Sequence, residues 1–538
     1  MATISSKDAP VSAEIRRVNR FSPGVAAIIL IALLAAAPII AIVLGAVHAG
    51  LGEAQAHMFS VTGARYLRTT LLLCFFAGTG AAIIGAGAAL LISLTEFPGR
   101  RILAVALALP FAIPAYVGAY AYGDLFGPFG LIASIVGASD LPEIRSLPGA
   151  AFILMLTTYP YIYLAMNAAL ASRSSSLMEA ARALGVSPAR AAIDVLFKIS
   201  RPAFIGGLAL ALMEIAADYG VADYFGVPTL SVGIFRTWYG MGDLAAAMQL
   251  AAGLFFLALL LAILESAGRR GRATDDTRAL RANHRLKLSA PHATLAVFAC
   301  ALPVLFGFIA PSAVLLSLMN LNQSGHAVTA LTKAGVNTAL IAAIGAAVAI
   351  TIALILAYGT RRARGRIAQF FLRLATLGYA VPGAVMAIGI LALTANLGRI
   401  SGLAAAGGIA ALLYAYVARF LTAGYNATTG GLEQISPQMD AAAKMLGAGP
   451  TRILRDLHLP LAHRSILAGS AIIAIDIAKE LPATLILRPF NFETLSTHIY
   501  RLAADERLAD AAPAALILIV LGLIPTLALS RLNRQTIG

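Results

Sequence analysis

The sequence predicts an all-α polytopic membrane protein made of two parallel six-span repeats, about 12 transmembrane helices at roughly 20 apolar residues each. Three observations predict it. Apolar residues make up 59% of the 538 residues and charged residues only 12%, about half the charge of a soluble globular chain, and mean hydropathy is +0.84. Basic residues, which give a formal charge of +15, gather in short segments between apolar runs. That is positive-inside patterning rather than the basic face of a nucleic-acid binder, so nucleic acid is excluded as a partner and the bilayer is expected as one. Finally, the landmarks of the first half return in order in the second.

Residues 1–23 form a cytoplasmic N-terminal tail with Lys7, Arg16, Arg17 and Arg20. Span 1, Gly24–Val47, is too long for a signal-peptide core of about 7–15 residues and reads as uncleaved. Span 2 covers 67–95 and ends in the basic turn Phe97–Arg101. Span 3, 102–122, carries Pro110 and Pro114, which predict a kink tolerated where neighbours satisfy the freed carbonyls. Span 4 covers 149–171, span 5 runs 203–221 and span 6 runs 244–264. Trp238 and Tyr239 suit the membrane–water interface. Together 24–264 is the first half, with its core at 66–265. Residues 265–291 form a basic cytoplasmic linker.

The plan then repeats over 292–531, with a core at 335–530 and spans at 293–318, 335–358, 368–395, 403–425, 465–487 and 511–529, followed by a cytoplasmic tail at 532–538. Thr70 corresponds to Thr338, Pro114 to Pro382, Gly185 to Gly447, Glu214 to Asp476, Asp218 to Glu480 and Tyr239 to Tyr500. Offsets of roughly 262–268 residues in constant order mean a duplicated domain, not a solenoid. Six spans per half give both halves the same orientation. A cytoplasmic N-terminus places roughly 29 of the 40 Lys and Arg inside, so both termini are expected in the cytoplasm of a bacterium with this as its inner-membrane protein.

Between spans 4 and 5, and again between spans 10 and 11, lies a charged segment that reads as helix, glycine break, helix. In the first, Glu179, Ala180 and Ala181 precede Gly185, and Ser187 with Pro188 start the second helix. In the second, Ala441 precedes Gly447, Gly449-Pro450 restarts the helix, and Leu459-Pro460 closes it. Glycine is suited to the left-handed conformation that ends a helix. Both elbows fall on the cytoplasmic side, where a two-fold partner is expected. His458 and His463 beside the second elbow read as ordinary interface residues.

Enzymatic motifs are missing. No lysine follows a glycine, so there is no phosphate-cradling GxxxxGK[ST] loop, and neither GxSxG nor HExxH occurs. Cys74 and Cys300 sit singly in apolar runs and read as small buried residues. No metal site is assigned.

Ionisable residues within spans are functional candidates by default. Glu214 and Asp218, and likewise Asp476 and Glu480, stand four residues apart, which predicts one helix face for each pair. Two acidic faces related by the repeat axis either line a central path favouring a cationic solute, or are structural, with Asp476 paired to Lys479.

Glu179-Ala180-Ala181-x3-Gly185 resembles the EAA loop of ATP-binding-cassette importer permeases, and Gly447 with Leu457-His458-Leu459-Pro460 resembles its second half at the family spacing. Each copy departs once: the first lacks Leu-Pro after Val195-Leu196, and the second has Ala441 at the glutamate position with Asp440 one residue early. The resemblance covers about 460 residues, both repeats. It implies the type I importer permease fold, with elbows acting as coupling helices on a dimeric cytoplasmic ATP-binding subunit. ATP and magnesium then belong to that subunit and no cofactor to this chain.

The stretch Met213–Asp243, centred on Glu214, Asp218, Tyr219 and Gly220, is similar to fused two-halved ferric-iron importer permeases. That similarity implies a periplasmic ferric-binding protein. Thiamine or phosphonate cargo, carried by similar fused permeases, stays open. A proton-coupled secondary transporter, also six plus six spans, is the rival of another class. A channel is disfavoured because no filter-like repeat occurs.

Overall fold

In the computed structural model the residues described are 23–48, 58–128, 130–136, 143–171, 184–185, 198–269, 286–319, 325–362, 365–401 and 408–535. Helices dominate, because lipid leaves backbone polar groups no partner outside the chain. Among the described residues, nine helices are long and apolar enough to cross a membrane, and eleven spans result if each of two bent pairs counts once. The expected tenth span is the one that does not qualify. Its helix runs Ile409–Glu433 rather than 403–425 and carries Arg419 in its middle. The predicted total of about 12 therefore exceeds what length and composition support here.

The predicted kink in span 3 is a sharp break. Helix 100–112 and helix Ala115–Leu125 meet at 91°, and the corresponding pair in the second half, 366–380 and 383–395, meets at 115°. Pro114 and Pro382 stand at the two breaks, where their missing N–H removes a helical bond. Spans 5 and 11 correct the sequence reading. The first is helical over Lys198–Ala217 and restarts as Gly220–Tyr224; the second is helical over Leu459–Lys479 and restarts as Pro482–Leu487. Asp218 and Glu480 lie just past their helix ends, so neither acid pair shares one continuous helix face. Each carboxylate instead accepts from the backbone N–H three residues on, Val221 at 3.0 Å and Ala483 at 3.0 Å. A side chain that satisfies the start of the next helix favours the interruption.

The repeat extends to individual hydrogen bonds. Thr70 donates to the Tyr66 carbonyl and accepts from the Leu230 N–H, at 2.8 and 2.9 Å. Thr338 donates to the Ala334 carbonyl and accepts from the Leu495 N–H, both at 2.8 Å. Thr229 and Thr494 then cap the helices that follow.

The halves interlock. The first helix, Pro23–His48, packs on Gly325–Arg362, Arg366–Ala375 and Gly383–Ser401 of the second half. Its counterpart returns the contact: Tyr122 of the first half donates to the Phe306 carbonyl at 2.6 Å. One large apolar core spans both halves, while Phe75, Phe76, Ile83, Leu295 and Phe298 remain exposed, as lipid-facing side chains must. The linker holds a surprise. Leu286–Lys287 pairs as a two-residue parallel strand with Thr95–Glu96, tying the linker's end to the turn after span 2.

Candidate functional site

The four chain breaks converge. Ile113–Ala115, Ala217–Gly220, Ala380–Gly383 and Lys479–Pro482 all line one cavity of about 200 Å³ between the halves. Irregular backbone at membrane depth is tolerated where it is buried in protein or lines a cavity, and here the breaks make the wall.

All six residues expected along a path, Glu214, Asp218, Tyr219, Asp476, Lys479 and Glu480, line this cavity. Arg419 joins them. Sequence reading passed over it, although an arginine inside an apolar run carries the same signal as the acids. Arg419 forms an ion pair with Glu480, and a Cβ on Gly383 would overlap that carboxylate. The alternative, a structural Asp476–Lys479 pair, is not formed as an ion pair among the described residues, and the Lys479 ammonium lies 5.3 Å from the centre of the Phe111 ring. A carboxylate one turn away engages an arginine from another helix instead. Beside Tyr219 the halves are bridged, with the Tyr219 and Tyr500 hydroxyls 2.8 Å apart and Tyr500 donating to Asp223 at 2.8 Å. Among the described residues no group of three or more His, Cys, Asp or Glu is placed to hold a metal ion.

The second elbow breaks and restarts where the sequence predicts, but its second helix is not short: it runs on from Pro450 through Leu459-Pro460 to Lys479. Helix Pro437–Met445 ends at Gly447, φ +77°, and Gly449 leads into Pro450–Ile453. Ala441, Pro450 and Pro460 are exposed and Leu459 is half-buried. In the first elbow, Gly185 has φ +76°, while Glu179, Ala180, Ala181, Ser187 and Pro188 lie outside the described residues. Before each glycine stands an exposed leucine, Leu184 at 82% and Leu446 at 86%, with Met445 at 88%.

Asp440 has a different place from the displaced docking acid of the sequence reading. It accepts from Arg361 at 3.0 and 3.2 Å and lies 2.7 Å from His458 Nε2. Arg361 also donates to the Leu432 and Ile435 carbonyls at 2.6 and 3.1 Å. His458, read as an ordinary interface histidine, is only 2% exposed. This clamp ties the elbow helix to the ends of two long helices. Partial burial raises the Asp440 carboxyl, but hydrogen bonds from His458 and Arg361 outweigh it and hold the group below the usual carboxylate range.

Fold and site together define a multi-pass helical transport protein, duplicated, with one charged cavity where the halves meet. Residues 78–267 and 349–537 each match the family of binding-protein-dependent transport system inner membrane components. The chain belongs to that family and carries its domain twice. It is 25% identical to the Fe(3+)-transport system permease protein FbpB 2 of Haemophilus influenzae over 94% of this chain and 97% of that one. Two further relatives each match about three-tenths of the chain. The PhnU permease of Salmonella typhimurium, named for 2-aminoethylphosphonate transport, is 26% identical over 30% of this chain and 58% of its own. The sulfate transport system permease protein CysT of the same organism is 26% identical over 29% and 57%.

Proposed function

We propose that this chain is a two-halved permease of an ATP-driven importer of type I fold, with twelve spans and both termini in the cytoplasm. A dimeric ATPase, which binds the ATP and magnesium, docks on the two elbows, and a periplasmic solute-binding protein delivers cargo to the opposite face. The observation that carries the reading is the pair of elbow glycines, both left-handed and each preceded by an exposed leucine, at equivalent places in the two family domains. At the second elbow Met445 and Leu446 adjoin as an exposed apolar pair, which this reading assigns to the ATPase contact. The Gly185 and Gly447 turns then transmit closure of the ATPase as rigid-body movement of the adjoining spans.

The cavity serves as the translocation route, lined by Glu214, Asp218, Asp476 and Lys479. Ferric iron is the favoured cargo, because the iron permease is the relative matched along nearly its whole length, while the phosphonate and sulfate permeases match half of theirs.

Gentle purification from native membranes tests this. An ATPase at two copies per chain is expected, with hydrolysis stimulated by a loaded binding protein. Recovery of the chain alone, transporting on a proton gradient without ATP, sinks the importer reading and favours the secondary-transporter class. A binding protein loaded with thiamine or a phosphonate corrects the cargo alone.

A further inference from the structure

We infer that the cavity takes a small solute or metal complex that carries a positive and a negative group at once. The inference rests on the cavity being the translocation route, and names the chemistry of what travels through it.

The two halves contribute unequal charge to the wall. The first half supplies Glu214 and Asp218 and no cation. The second supplies Asp476 and Glu480, but also Lys479 and Arg419. At the repeat offset of roughly 262 residues, Thr157 stands where Arg419 does and Ala217 where Lys479 does, and both of those line the same cavity. Both cations are thus additions to a scaffold otherwise repeated.

Three of these six charged groups are already engaged. Glu480 holds Arg419 and the Ala483 N–H. Asp218 holds the N–H groups of Val221 and Ala222. Three remain open to a ligand. Glu214 is exposed, Asp476 and Lys479 are half-exposed, and among the described residues none of the three has a hydrogen bond or ion pair. A lone cation would meet the Lys479 ammonium, and a lone anion would meet two carboxylates. A ligand with both charges satisfies both sides, and each charge-assisted hydrogen bond it makes to one of these groups adds to its advantage.

Size narrows the class. At about 10–15 Å³ of such space per water-sized group, the cavity of about 200 Å³ holds roughly a dozen or more such groups. That is one ion with a shell of small ligands, or one short aliphatic molecule. The acids do not converge as a three-ligand metal site, so a ferric ion crosses with its own ligands, one of them an oxyanion. An aminophosphonate has the same pairing of charges within one molecule.

Two measurements test this. The full chain in lipid nanodiscs is dialysed to equilibrium against 2-aminoethylphosphonate, ferric citrate, ethylphosphonate and ethylammonium. At least one of the first two is expected to bind about tenfold or more tightly than either single-charge probe, as a charge-assisted hydrogen bond implies. Which of the two binds identifies the source of the paired charge. Lys479→Met should remove that advantage, and Lys479→Arg should restore it in a comparably folded protein. Binding of ethylammonium as tightly as both two-charge probes, unaltered by Lys479→Met, overturns the inference. So does failure of both two-charge probes to exceed the single-charge ones.

Uptake of labelled iron and labelled 2-aminoethylphosphonate in cells with the whole importer separates the two levels. If Glu214→Gln and Asp476→Asn stop uptake and Lys479→Met leaves it unchanged, the route stands and the paired-charge inference falls. If none of the three alters uptake, the route itself is refuted.

Discussion

Replacing Asp440 with asparagine should loosen the second elbow and leave the membrane core intact. In the native clamp the carboxylate accepts two hydrogen bonds from Arg361 and meets His458 at 2.7 Å. A hydrogen bond to a charged group contributes about 1.5–3 kcal/mol, against about 0.5–1.5 for a neutral one. Exchanging carboxylate for amide therefore removes roughly 1 kcal/mol per contact. The Asp440 side chain is 21% exposed, so water recovers part of the loss, and Arg361 keeps its two carbonyl acceptors. A net cost of about 2 kcal/mol follows, near the upper end of a 5–30-fold change in a local equilibrium. Hydrogen exchange in nanodiscs is the assay. Amides of residues 436–458 should exchange at least about tenfold faster, while those of the Gly383–Ser401 helix stay unchanged. Exchange within about twofold of wild type in 436–458 would refute the clamp as the elbow's anchor. The pH sign is also fixed. Because the folded Asp440 carboxyl sits below its usual range, its stabilisation is present above about pH 4 and is lost as pH falls through the lower folded value.

Gly447→Val should uncouple a bound ATPase with little effect on the core. A Cβ there meets nothing within 4 Å, so the cost is the left-handed backbone, about 1–2 kcal/mol; Gly447→Asn should be milder, and equal ATPase stimulation in all three proteins would count against the elbow. Thr338→Val orphans the buried Leu495 N–H and should cost about 1–3 kcal/mol, with Thr70→Val alike, read as a fall in thermal midpoint in nanodiscs. Gly383→Ala should displace the Arg419–Glu480 pair and depress uptake; unchanged uptake and midpoint would show that the wall yields there. Hydrogen bonding from His498, with burial opposing it and Arg501 adding to it, brings the Glu493 carboxyl from 4.5 to about 2. A lowered folded value means this cluster stabilises fully above about pH 4.5 and loses on the order of 1–2 kcal/mol, after screening, between there and about pH 2. Glu493→Gln should flatten acid unfolding over that window.

Most of the fold was legible because lipid imposes a simple demand, long apolar runs, and the repeat doubled each signal. Pro114 and Pro382 announced two of the four cavity-lining breaks, since proline cannot donate within a helix. The other two were hidden. An acid four residues after another reads as a helix face, and only the three-dimensional path shows Asp218 and Glu480 serving the next helix. Charge partners were equally opaque. Lys479 is near Asp476 in sequence, yet the ion pair forms between Glu480 and Arg419, 61 residues apart. Asp440 looked like a docking glutamate one position out of register, because its partners, Arg361 and His458, come from other elements. In the first half Met178 and Leu196 hold the places of Asp440 and His458 at the repeat offset, so the clamp was visible as a polar departure from the repeat.

The exchange of first helices between halves carries a consequence in time. Pro23–His48 is synthesised first, but its packing partners extend to Ile409–Glu433, where Tyr414 donates to the Leu34 carbonyl. Roughly 385 residues must follow before that surface is complete, and at about 5–20 residues per second this takes about 20–80 seconds. During that interval the nascent first span can meet Leu244–Arg269 of its own half, but has lipid in place of its contacts with the second. The order of synthesis thus makes docking of the first span a late event, and the two halves mature together as one unit although each was once a domain in its own right.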